Sequence, residues 1–72
     1  MAHVITVKLH VCPSHTPWAP GSWHWEATVS IEGQAKNTER TREQAIAAAE
    51  AFVRDLDRGP AVIVRHYLEP TP

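Results

Sequence analysis

Only one cysteine, Cys12, occurs in the chain, so no internal disulfide can form and a cross-linked extracellular scaffold is excluded. Glycine is almost as scarce. The three present fall in no phosphate-cradling pattern, which removes the nucleotide-binding loops built on clustered glycines. No run of about 18 apolar residues exists to span a bilayer, and the start "MAHVITVKLHV" lacks the long apolar core of a signal peptide. A cytoplasmic protein without a membrane partner is expected. Excess charge of either sign is missing too: the formal net charge is −1, so no overall field draws the chain to nucleic acid or anionic lipid.

What is there is one short, patterned domain spanning residues 1–72. A chain of this size buries only roughly 60% of its unfolded surface, and a partner subunit or a metal would add stability. From Ile5 to Val11 apolar and polar residues alternate, which puts Ile5, Val7, Leu9 and Val11 on one face of a strand and Thr6, Lys8, His10 and Cys12 on the other. "PSHTPWAPGS" follows, and its prolines, glycine and serines make it a loop. Alternation resumes with Trp23, Trp25, Ala27, Val29 and Ile31 opposite His24, Glu26, Thr28 and Ser30. The two strands predict a hairpin whose apolar faces coincide, because a slip of one residue turns the hydrophobic set to water. Among same-face registers we prefer the one pairing Val11 with Trp23, Leu9 with Trp25, Val7 with Ala27 and Ile5 with Val29. It sets Lys8 opposite Glu26, Thr6 opposite Thr28 and His10 opposite His24.

Glu32-Gly33 reads as a tight turn, and "QAKNT" after it has the length of a short edge strand but little β-forming content, so a third strand is left open. The helix signal is stronger. Thr41 and Gln44 form a capping box, and Ala45, Ala49, Phe52, Val53 and Leu56 then share a face flanked by Ile46 and Ala48. Glu43, Glu50 and Arg54 point away from it, Glu50 and Arg54 at pairing distance along the helix. Gly59-Pro60 is expected to end the helix. A last strand, "AVIVRHYL", carries apolar residues on both faces, and we expect Ile63 and the ring of Tyr67 on the side away from the helix. The fold class is therefore α+β: a two-layer β-β-(β)-α-β sandwich, mostly antiparallel, with one helix on one face.

Chemistry concentrates in "HVCPSHTPWAPGSWHWE", residues 10 to 26, which holds the cysteine, all three tryptophans and three of the five histidines. One reading is a zinc-type site at His10, Cys12, His15 and His24, since these nitrogen and sulfur ligands gather at one end of the hairpin. Its spacing matches no paired-ligand signature. The alternative is that imidazoles and a thiol simply line a wet strand face. A catalytic cysteine would need a base and an orienting group, of which only a histidine is at hand, so no enzyme and no cofactor is expected.

Binding to another protein is the expected function. Trp18, between Pro17 and Pro20, has the character of a rigid aromatic anchor, with Ile63 and Tyr67 as further contact residues and a homodimer as the expected assembly. Trp18 folded back over Trp23 and Trp25 as a lid on the core is the competing account. A nucleic-acid surface is the second alternative: Lys36, Arg40 and Arg42 cluster at the helix start and Arg65 extends the patch, although Glu39 and Glu43 interleave with them.

The stretch from Trp25 to Leu56, a strand, the Gly33 turn and "NTERTREQAIAAAEAFVRDL", resembles the N-terminal domain of HicB-like antitoxins. In that family a strand, a glycine turn and a short strand lead into a Thr-x-Glu-Glu-Ala helix start, approximated here by Thr41, Glu43, Gln44 and Ala45. The family's Pro-Gly-Cys segment before the short strand is missing from this chain. The resemblance covers about half the chain and implies a small protein that binds another protein and dimerises through its sheet. In style the sequence also looks like a phage or actinobacterial product.

Overall fold

The structure, a computed structural model, describes residues 4–15, 18, 20–30, 33–56 and 61–70. Within them lie β1 (Ile5–Pro13), β2 (Trp23–Val29), β3 (Gly33–Glu39), α1 (Arg42–Arg54) and β4 (Ala61–Tyr67). The sheet order is β3-β2-β1-β4. β1 runs antiparallel to β2 and β2 antiparallel to β3, whereas β4 lies parallel to β1, as a strand returning through a helix does. With α1 on one face this is the expected α+β two-layer arrangement, the third strand included. β3 forms despite its weak composition because all seven of its residues pair with β2. Backbone pairing overrides side-chain preference at such an edge. Gly33 opens the strand at φ 109°, a conformation costly for any residue with a Cβ.

The hairpin has the expected faces but not the expected register. Val7 pairs with Val29, Leu9 with Ala27, Val11 with Trp25 and Pro13 with Trp23, two residues displaced from the preferred alignment. That alignment rested on a Lys8 and Glu26 pair. Lys8 instead faces Thr28, and Glu26 sits between His10 on β1 and Lys36 on β3. The acid finds its cationic neighbour on a strand that the hairpin pattern does not reveal, and the displaced register carries the β1 and β2 ladder on to Pro13.

Between sheet and helix, Val7, Leu9, Val11, Ala27, Ala45 and Ala49 are almost wholly buried, with Phe52, Val53, Leu56 and Ile46 packed around them. The helix lies chiefly over β2 and β1. Thr41 caps it, its hydroxyl accepting from the Gln44 N–H at 3.1 Å. The C-terminal end differs from expectation: α1 stops at Arg54, with Asp55 as cap, before Gly59 and Pro60, which lie outside the described residues along with Ile31 and Glu32. Two local bonds replace further helical turns there, from Asp55 N to Ala51 O and from Leu56 N to Val53 O. Glu50 and Arg54 do not pair with each other; Arg54 meets Asp55 and Glu50 meets β4.

The faces of β4 are the reverse of those expected. Ile63, Arg65 and Tyr67 align with Val7, Leu9 and Val11, and so turn towards the helix side. Ile63 and Tyr67 pack against the core, and Val62 and Val64 are the apolar residues on the open face. Alternation alone does not say which face is inner; the parallel pairing with β1 decides it.

Ala49 is fully buried where the helix meets the sheet, whereas Ala47 is exposed. Ala49→Leu should therefore cost about 1–3 kcal/mol through overpacking, and Ala47→Leu should stay within about 0.5 kcal/mol of the parent in urea denaturation.

Candidate functional site

At the far end of the hairpin the loop is closed by a hydrogen bond from Ser14 N to Ser22 O at 2.9 Å, with Gly21 at φ 83° making the return into β2. Ser22 is buried, so the base of the loop is anchored. Beyond this base stands Trp18, 86% exposed, with His15 and Pro20 also exposed. Pro17 lies outside the described residues. Trp18 is therefore no lid on the core. That end is closed by its neighbours: Trp25 packs on Phe52 with ring centroids 6.4 Å apart and donates from Nε1 to Glu39 Oε2 at 3.2 Å, and the Arg42 guanidinium lies 6.0 Å from the Trp23 ring centre.

The register decides what becomes of His10, Cys12, His15 and His24. Cys12, not His10, is opposite His24; His10 is opposite Glu26; His15 is exposed in the loop past the strand. His24 Nε2 approaches Glu26 Oε1 at 3.4 Å. Among the described residues no three His, Cys, Asp or Glu side chains form a group able to hold a metal ion, so the expected four do not come together as one. Burial, and then the Glu26 carboxylate, push the Cys12 thiol pKa up. Thiolate chemistry needs the opposite shift. His10 meets a residue that the sequence reading did not connect with it: Nδ1 of His66 on β4 is 3.1 Å from its own Nδ1. Only the parallel pairing of β1 with β4 brings the two together.

The four cations expected to form a basic patch are dispersed. Arg42 donates from Nε to the Leu68 carbonyl at 2.8 Å and approaches Glu69, tying the start of the helix to the end of β4. Arg65 holds Glu50 through two bonds, Nε to Oε2 at 2.6 Å and Nη2 to Oε1 at 2.9 Å. Lys36 and Arg40 remain exposed on β3 and at the helix entry. Two cations already committed to internal partners leave a weak footprint for phosphates.

Tyr67 completes the Glu50 cluster by donating its hydroxyl to Oε2. Arg65, followed by that hydroxyl, holds the Glu50 carboxyl well below its ordinary value, at about 2. Burial and then the bond to Glu50 push Tyr67 up to about 12. Val62 and Val64 are about half exposed on the open face of the edge strand β4, and a cleft of 190 Å³ lies between Val29, Gly33, Gln34, Ala35 and Phe52. Ligand pockets are usually larger, about 300–1,000 Å³.

No protein-family model, curated protein or solved structure matches the chain. The reading of the site rests on its own geometry.

The Glu50 cluster predicts a stability profile with two limbs. Glu50 has a depressed value, so its contribution is complete above about pH 4.5 and is lost as pH falls towards about 2. Tyr67 has a raised value, so its contribution is complete below about pH 10 and is lost as pH rises towards about 12. The Glu50 side chain is 37% exposed, and solvent screening keeps the acid limb modest. Urea midpoints measured against pH should show Glu50→Gln flattening the acid limb and Tyr67→Phe the alkaline one.

Proposed function

We propose that the chain is a non-catalytic, cytoplasmic protein-binding module that grips another protein with its Trp18 loop and pairs with a second copy along β4. The observation that carries this reading is Trp18, 86% exposed beyond a loop base fixed by the Ser14 and Ser22 backbone bond. A tryptophan offers roughly 150–250 Å² of apolar contact and has few rotamers to lose, which makes it a frequent anchor of interfaces. Holding it on a two-strand arm with its base already closed lowers the ordering cost of docking. The thiol of Cys12, disfavoured as thiolate, supports a binding role over a catalytic one.

For the second copy the support is β4 itself. It is an edge strand with Val62 and Val64 half exposed beside it, the kind of edge to which another strand adds. The HicB-like resemblance belongs to the same proposal: strand β2, the Gly33 opening, β3 and the Thr41-capped helix follow one another in the order it implies. In that reading the partner protein is a toxin-like target and the sheet is the dimer surface.

Trp18→Ala is the direct test. The variant should keep its unfolding free energy within about 0.5 kcal/mol of the parent, as an exposed substitution does, and lose a partner that the parent captures from source-cell extract. A partner retained equally by both would remove the loop from the reading. Light scattering at high micromolar concentration tests the dimer, and a monomer under those conditions refutes it.

A further inference from the structure

On the open face of the sheet, one row runs Lys36, Glu26, His10, His66 across β3, β2, β1 and β4. Its last two members are imidazoles placed side by side by the parallel ladder. Their ring centroids are 5.0 Å apart, the rings tilted by 45°, and their Nδ1 atoms, the nitrogens nearer the backbone, face each other at 3.1 Å. We propose that His10 and His66 form a two-histidine clip for a first-row transition-metal ion of the zinc class, held between the two Nδ1 atoms.

Two nitrogens, each roughly 2.0–2.1 Å from one ion, stand about 3.3 Å apart at a tetrahedral angle and about 2.9 Å apart at a right angle. The observed 3.1 Å falls between the two. Because Nδ1 is the ring nitrogen nearer the main chain, this bite is set by the pairing of β1 with β4 more than by side-chain freedom. Without metal, the same distance suits a hydrogen bond in which one ring carries its proton on Nδ1 and the other accepts. Loading the ion moves the one Nδ1 proton to Nε2 of its own ring, the accepting ring being the Nε2–H tautomer already, so no proton is lost. Glu26, opposite His10 on β2, adds a negative charge beside the row. Imidazole donors suit zinc, nickel and copper. No third His, Cys, Asp or Glu converges with the pair among the described residues, so water completes the shell and binding is weaker than in a structural zinc site. The clip shares only His10 with the four-residue set read from the sequence, and its function is mechanical: it fastens the edge strand β4 to the central strand β1.

Zinc chloride titrated into the full chain, followed by calorimetry and by thermal unfolding, tests the clip. One ion per chain should bind and raise the unfolding temperature, as any ligand of the folded state does. His10→Gln and His66→Gln should each weaken binding by more than the ~10-fold typical of losing a mere supporting partner of a metal ligand. His15→Gln and His24→Gln should bind as the parent does. On the parent itself, imidazole nitrogen NMR should show the Nδ1-protonated ring of the pair turning into the Nε2–H tautomer as zinc is added, so that His10 and His66 both end in that form, a readout independent of how any variant folds. Undiminished binding by His66→Gln, equal losses in all four variants, or unchanged tautomers in saturating zinc would overturn the proposal and leave an ordinary histidine hydrogen bond.

Discussion

β1 is the element on which the rest depends, because it is the inner strand that joins the hairpin to β4, the strand farthest from it in sequence. β2 lies antiparallel on one side and β4 parallel on the other. Its inner residues Val7, Leu9 and Val11 are the largest fully buried side chains. At roughly 1.5–3 kcal/mol each for burial, the three supply about 5–9 kcal/mol as an upper estimate. That is comparable with the whole net stability of an ordinary small domain, about 5–15 kcal/mol. A strand that central also sets every cross-sheet neighbour: which residue faces Glu26, which faces Cys12, and where the histidine of β4 falls.

The parts of the fold legible in the sequence are those governed by local periodicity. Alternation from Ile5 to Val11 and from Trp23 to Val29 gives the correct inner faces, since the side-chain period of a strand is fixed by its backbone. Thr41 and Gln44 mark the helix start because a cap acts within one turn, and Ala45 and Ala49 mark its close approach to the sheet. Illegible were the relations between segments distant in the chain. The pairing of β2 with β3 sets Glu26 opposite Lys36, a β3 residue. The inner face of β4 is set by its alignment with β1, which turns Ile63 and Tyr67 inward, opposite to the expectation from alternation alone. Glu50 pairs with Arg65 on β4 and not with Arg54 along the helix. For β4 and for Glu50 the deciding partner is absent from any local window.

The candidate site was legible in the same uneven way. Trp18 stands out in the sequence by its proline setting, but that setting fits both an outward anchor and a lid over Trp23 and Trp25, and only its 86% exposure decides between them. The histidine grouping was half legible. His10 could be placed on the open face, but its neighbour His66 lies 56 residues away and enters only through the parallel ladder. Charge was the least legible part. The basic residues look like a patch on paper, yet Arg42 and Arg65 serve as clasps that hold the helix to β4. Both clasps bridge α1 to a strand that the helix does not chiefly cover, so ion pairing substitutes there for apolar burial.

An exposed tryptophan needs an explanation when a chain this small has so little apolar surface to spare. The end of the core near the Trp18 loop is already closed: Trp25 stacks against Phe52 and satisfies its indole N–H at Glu39, and Arg42 covers Trp23. Trp18 thus contributes nothing to that closure, and folding the loop inward would compete with aromatic rings already in place. A side chain of that size, held in water beyond an anchored loop base, costs solubility without aiding the fold. Burial of the indole against another surface would offset that cost, which is what the proposed binding role requires.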